Sequence, residues 1–402
     1  MKKVYLVAAK RSAFGGYLGT LSKMNAVQLG TEVSKAVIKS AKIDPKNIDE
    51  TIVGTILTGG LKPNVARQIS IYSGVPQETP AHCINMLCGS GIKAMMAAFN
   101  SIKVGENNVI LAGGIECMSS SAYVLPGKIR GGVKMGSMTA EDSMLYDGLV
   151  DAFSGQHMGI TAENIAEKYE ISRGEQDELA LEAHLKAEKA IADGLFDEEI
   201  VPIEIKTRKG IIEFKENEHY RKGATIENFA KLRPAFKKDG SVTAGNASGI
   251  NDGASMVILA SEEAVKKYNL EPIAEIIATG QGGVDPAYMG MGPVPAVLNA
   301  VSKLDDIELK DMEYMEFNEA FASQALGVYK ELSEKTGLSV EWFKNQSNHH
   351  GSAISLGHPV AATGPRIAMH VAYELRRRNL KYGLATMCIG GGMGVALILK
   401  KA

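Results

Sequence analysis

The chain has 402 residues, 45% hydrophobic and 22% charged, which is enough for two or three packed units rather than one core. Its 44 Lys and Arg stand against 46 Asp and Glu, a near balance that excludes a broad electrostatic footprint for nucleic acid or an anionic membrane, so an anionic ligand has to be held by local groups. Cys83, Cys88, Cys117 and Cys388 form neither a CxxC pair nor a zinc-ligand spacing, so reduced thiols in a cytoplasmic setting are expected, with no disulfide framework and no metal.

The apolar run at residues 4–9 lies between Lys2-Lys3 and Lys10-Arg11; it is too short for a signal-peptide core and reads as a first strand. Further short apolar runs at 51–57 and 108–112 alternate with a helical pattern at Ile92, Met95, Phe99 and Ile102, which predicts a layered α/β architecture with helices on both faces of the sheets. Residues 119–249 change character: they are glycine-rich, charged and irregular, with helical segments between, and read as an inserted loop domain. The uncharged stretch 383–399 contains five glycines and falls short of a membrane span, so two buried strands around a glycine turn are expected.

After the loop domain the opening pattern returns. Asn47-Ile48-Asp49-Glu50-Thr51-Ile52-Val53-Gly54 matches Asp311-Met312-Glu313-Tyr314-Met315-Glu316-Phe317-Asn318 in its apolar positions. Cys88 then begins a turn, helix, strand and glycine turn ending at Gly113-Gly114, and His358 begins the same order ending at Gly390-Gly391-Gly392. Two similar halves would bring Cys88, His358 and the Cys388 turn together.

Four motifs carry chemistry. Cys88, in Asn85-Met86-Leu87-Cys88-Gly89-Ser90-Gly91, precedes a helical run whose free N–H groups would stabilise a thiolate, although a cysteine is more often a small buried hydrophobe. Gly89-Ser90-Gly91 is only a fragment of a dinucleotide fingerprint. His358, between Gly357 and Pro359, can be held in one orientation for proton transfer from a thiol, yet a lone histidine is more often a core or surface residue. Cys388-Ile389-Gly390-Gly391-Gly392 exposes a sulfur beside several backbone donors, or else is a tightly packed turn. Asn318, opening Asn318-Glu319-Ala320-Phe321 at a strand end, holds a water or carbonyl oxygen, or else caps a helix.

In this order and spacing the four motifs resemble the thiolase family over essentially the whole chain. His157-Met158-Gly159, Lys231-Leu232-Arg233-Pro234-Ala235-Phe236 and Thr243-Ala244-Gly245-Asn246-Ala247-Ser248-Gly249 are similar to its short-chain, biosynthetic acetyl-CoA acetyltransferase branch. The resemblance implies a thiolase fold: two similar mixed-sheet halves in an αβαβα arrangement, 1–118 with 250–270 and 271–402, around a CoA-binding and tetramerising loop domain at 119–249. It implies Claisen condensation of two acetyl-CoA to acetoacetyl-CoA and CoA, and the reverse thiolysis, with CoA as substrate and no cofactor. Cys88 would carry the acetyl group, His358 would activate it, and Cys388 would take the α-proton. A water on Asn318 with His358 would stabilise the enolate, and the N–H groups of Cys88 and Gly390 the tetrahedral oxyanion. Arg221, Ala235, Phe236, Ala244, Ser248, Ala320 and Phe321 would line the CoA groove, and His157 with Met158 would narrow the acyl pocket. A homotetramer is implied by the segment 119–140.

Asn228 stands where relatives often have a serine at the nucleotide site. Asn348-His349-His350-Gly351-Ser352 replaces a common Asn-Val-Asn-Gly-Gly, Ala361 and Pro365 stand where glycine and alanine are common, and residues 331–347 form a longer segment. Pro365 is expected in the first turn of a helix. The competing readings are a β-oxidation thiolase acting on longer 3-ketoacyl-CoA, a carrier-dependent ketosynthase, and a non-catalytic acyl-CoA-binding protein.

Overall fold

The computed structural model describes residues 2–208 and 210–402 and places nine strands along one hydrogen-bonded path. These are β1 (Val4–Ser12), β2 (Glu50–Gly54), β3 (Ala81–Ile84), β4 (Val109–Cys117), β5 (Asn251–Ser261), β6 (Ala274–Gly283), β7 (Tyr314–Phe317), β8 (Tyr382–Ile389) and β9 (Met393–Lys401). Their spatial order is β7-β8-β9-β6-β1-β5-β4-β2-β3. The repeat foreseen in the sequence is explicit here. In the first half β1-β5 and β5-β4 pair antiparallel and β4-β2 parallel; in the second, β6-β9 and β9-β8 pair antiparallel and β8-β7 parallel. The halves meet at β1 and β6 through Tyr5↔Glu275 and Leu6↔Ala274. The glycine-containing stretch near the C-terminus is the expected hairpin, β8 and β9 closed through Ile389↔Met393.

Period-two burial sorts each strand's side chains into layers. Ile110 and Ala112 of β4 face one apolar cluster and Val109 and Leu111 another. The first cluster is central. It joins strands of both halves to α2 (Ser90–Val104) and α7 (Val360–Arg377). Outside the first half lies α1 (Ala26–Ala41), opened by a reciprocal Asn25–Gln28 capping box. Outside the second lie α5 (Pro293–Val301) and α6 (Ala322–Thr336). The layers run helix, sheet, helix pair, sheet, helix. Between β4 and β5 the chain forms α3 (Met158–Lys168), α4 (Arg173–Ala192) and irregular segments.

Two local expectations are corrected. Gly113-Gly114 is not a turn but the middle of β4: a side chain at 114 would overlap the Ala361 carbonyl oxygen, so Gly114 allows α7 to approach the strand, whereas one at 113 would overlap Ser255 and Met256 of β5. Pro365 lies inside α7, beyond its first turn. It removes the N–H that Ala361 would receive, and the freed carbonyl packs against Gly91 and Gly114.

Candidate active site

The α2–α7 pair fixes the site, because the turn before each helix carries one of the chemical motifs. Before α2, Leu87 adopts a left-handed φ of 48°. That costly conformation is held by the Leu87 N–H donating to Asn85 Oδ1 at 3.0 Å, the Met86 N–H donating to Ser90 Oγ at 2.8 Å, and the Ser90 hydroxyl donating to the Leu87 carbonyl at 2.6 Å. The turn presents Cys88 to the β8–β9 hairpin, whose Gly390 N–H donates to the Cys88 sulfur. Gly391 and Gly392 have φ of 77° and 82°, which a side chain would strain.

Cys88 is half-buried, and its surroundings do not favour the thiolate that the helix start alone would stabilise. Burial pushes its thiol up to about 11, outweighing the N–H groups of Gly390 and Cys88 itself, and the Glu116 carboxylate adds to the rise. Buried Cys388 is raised further, by burial and then by the neighbouring Cys88. Two thiols therefore lie beside one another among apolar side chains, with Leu87 packing against both groups.

His358, before α7, is oriented at two points: its N–H donates to Asn251 Oδ1 at 2.8 Å, and its Nδ1 meets Thr363 Oγ1 at 2.7 Å. Its Nε2 is buried with no hydrogen-bond partner among the described residues. Burial, then Arg366, pushes its pKa down to about 3, so the ring is neutral. Asn318 leaves the end of β7 and is fully buried, and neither its Oδ1 nor its Nδ2 has a partner among the described residues. The helix-cap alternative does not hold, since the residue capping α6 is Phe321. Unpaired polar atoms at such depth mark places where a ligand or water completes the bonding.

The remaining predicted positions form a connected rim. Met158 packs with Ala320, Phe321 and Cys388. His157 stacks on Phe236 at 4.7 Å, and Phe236 meets Phe321 edge-on at 6.1 Å. The Ser248 N–H donates to the Ala320 carbonyl at 2.8 Å, the Ala235 N–H to the Val242 carbonyl at 2.9 Å, and Arg221 Nη2 to the Ala244 carbonyl at 3.0 Å. Arg221, Asn228, Ala235 and Ala244 are exposed, whereas Ala320 and Phe321 are buried, so the strip leads from solvent inward.

Sequence reasoning missed Asn251, Thr363, Glu116 and Glu319. Glu116 accepts from the Ile56 and Leu57 N–H groups beneath the Cys88 chamber, and burial raises its pKa to about 7. Its signal was a lone carboxylate in the apolar run of β4. Glu319, also raised to about 7 by burial, accepts from Asn348 Nδ2 at 2.7 Å.

Residues 4–263 match the thiolase N-terminal domain and residues 270–401 the thiolase C-terminal domain. The chain belongs to the thiolase family. This thiolase is 46% identical to acetyl-CoA acetyltransferase of Cupriavidus necator over 402 residues, spanning 100% of both chains. It superposes on the acetyl-CoA acetyltransferase of Syntrophomonas wolfei with a TM-score of 0.96, at 40% identity and with 100% of both chains covered. It superposes on human mitochondrial 3-ketoacyl-CoA thiolase in complex with CoA with a TM-score of 0.93, at 42% identity, covering 100% of this chain and 98% of the other.

Proposed function

We propose that this thiolase is an acetyl-CoA C-acetyltransferase, joining two acetyl-CoA into acetoacetyl-CoA and CoA, and running the reverse thiolysis, through an acetyl-Cys88 intermediate. The observation that carries the reading is the pair of neighbouring thiols, Cys88 and Cys388, together with a buried His358 Nε2 and an Asn318 amide that have no partner among the described residues. Names of full-length relatives at about 45% identity support the same activity.

His358 takes the Cys88 proton as the sulfur attacks the first thioester carbonyl, and the Gly390 and Cys88 N–H groups receive the oxyanion. CoA departs with a proton from Cys388. The resulting Cys388 thiolate, made strongly basic by its burial, removes the α-proton of the second acetyl-CoA. His358 Nε2 and a water on Asn318 stabilise the enolate oxygen, the enolate carbon attacks acetyl-Cys88, and Cys88 leaves to be reprotonated by His358. The rim from Arg221 through Ala244 and Ser248 holds CoA, and Met158 limits the acyl group.

We divide the chain into 1–118 with 250–270, 119–249 and 271–402, and infer a cytoplasmic homotetramer. Supporting the assembly, Tyr123, Leu125 and Met135 are exposed around a short arm in which Tyr123–Val124 pairs with Glu141–Asp142. No helix among the described residues is long and apolar enough to cross a membrane.

Similarity to a 3-ketoacyl-CoA thiolase supports a second reading, thiolysis of longer chains. CoA-dependent cleavage of acetoacetyl-CoA and of 3-ketoacyl-CoA of increasing length separates the two. Preference for the four-carbon substrate is expected, and strong turnover of long chains with little on acetoacetyl-CoA would reject the acetyl assignment.

A further inference from the structure

His349 and His350 of the preceding loop meet His370 on the far part of α7, away from the His358 turn: about 15 Å of helix separates Val360 from His370. His370 and Glu374 stand one turn apart on α7 and are buried. His350 comes from the loop ahead of the helix, with its side chain 16% exposed. His350 Nδ1 lies 2.9 Å from His370 Nε2 and 4.0 Å from Glu374 Oε2. Each of the three offers one ligand atom, and these atoms all lie within 4.8 Å of one another.

We propose that His350, His370 and Glu374 form a binding site for a divalent d-block cation, Zn2+ in the first instance. Two imidazole nitrogens and a carboxylate oxygen are a donor set that this ion takes at about 2.0–2.2 Å, and a tetrahedral arrangement leaves the fourth position to water. The 2.9 Å and 4.0 Å separations bracket the ligand–ligand spacing of about 3.4 Å that such bonds require, so small side-chain rotations bring the atoms into place.

The surroundings supply the outer contacts of a metal site. His370 Nδ1 bonds to Glu199, which fixes the tautomer that turns Nε2 toward the cation; a carboxylate behind a ligating histidine is the usual support. Glu199 is itself anchored by Arg11 at 2.9 Å. Glu374 divides its oxygens: Oε1 bonds to Arg377, while Oε2 lies 3.9 Å from Arg378 and faces His350. His349 Nδ1 stands 2.8 Å from the same Arg378, whose guanidinium lies over the Tyr314 ring. On binding, the proton shared by the two facing nitrogens leaves to solvent or moves to His350 Nε2, and Arg378 moves aside. The ion would tie the loop leading to His358 onto α7, and through Glu199 onto the segment after α4. Its role is structural.

The test is zinc titration of the dialysed full-length protein and of His350→Asn, with metal counted by elemental analysis and melting temperature followed in parallel. The expected result is one equivalent per wild-type chain with a rise in melting temperature. In the variant, zinc should bind weaker by more than the about 10–100-fold that loss of an outer contact costs, while thiolysis at saturating substrate stays unchanged. Equal binding in both proteins, or none in wild type, overturns the site. Should the variant fail to fold, Co2+ bound to wild type decides. A tetrahedral nitrogen and oxygen spectrum supports the proposal, and a thiolate charge-transfer band as the only signal assigns the ion to Cys88 and Cys388 and overturns it.

Discussion

Met158 stands over Gly390: a side chain at 390 would overlap the Met158 methyl and lie 2.9 Å from Leu87 Cδ1. The same glycine donates its N–H to Cys88, so the residue that completes the sulfur's surroundings is also the one on which Met158, the proposed limit of the acyl group, packs. Met158→Ala should raise kcat/KM for a six-carbon relative to a four-carbon 3-ketoacyl-CoA by about tenfold, the worth of a methylene or two in an apolar pocket. An unchanged ratio would show that another residue limits chain length.

The resting thiol of Cys88 makes a pH prediction. With its pKa pushed up to about 11 and that of His358 down to about 3, a neutral thiol and a neutral imidazole are the expected pair in the free enzyme. Below the thiol pKa the thiolate fraction rises about tenfold per pH unit, so alkylation of Cys88 by iodoacetamide should climb through pH 7 to 9 without a plateau. A rate already level at pH 7 would mean that the thiolate exists at rest.

How much of this was legible in the sequence depends on the range of the contact. The Cys88 turn, the β8–β9 hairpin and the strand ending at Asn318 were readable because each is built from neighbours in sequence. Asn251 was not: it orients His358 from 107 residues away, and nothing local marks it. Gly113-Gly114 was misread because glycine serves close approach as well as turning, and only the packed positions of Ala361 against Gly114 and of Ser255 and Met256 against Gly113 tell the two apart. The apolar surroundings of Cys88, which push its thiol pKa up, likewise arise from both halves at once.

Asn318 separates a catalytic role from a structural one. Its side-chain amide makes no hydrogen bond to the described residues, so Asn318→Ala removes none and should leave the melting temperature unchanged or slightly raised. Loss of an oxyanion donor nevertheless costs about a hundredfold in kcat, with KM little altered. A fall in stability with near-normal kcat would make Asn318 a packing residue.

The exposed arm predicts assembly. Met135 is 94% exposed on a segment bearing further apolar side chains. If that segment is an interface, Met135→Glu should shift the sedimentation coefficient from tetramer toward dimer while each remaining site keeps its activity. A wild-type chain that sediments as an active monomer contradicts the assembly.

Cys88 as the acyl carrier is tested most directly by mixing the protein with acetyl-CoA, quenching, and measuring the mass of the peptide that contains residue 88, alongside acetoacetyl-CoA thiolysis. Wild type should carry one acetyl group on Cys88 and cleave acetoacetyl-CoA, whereas Cys88→Ala should do neither. Acetylation at another residue, or equal thiolysis by both proteins, would contradict the account.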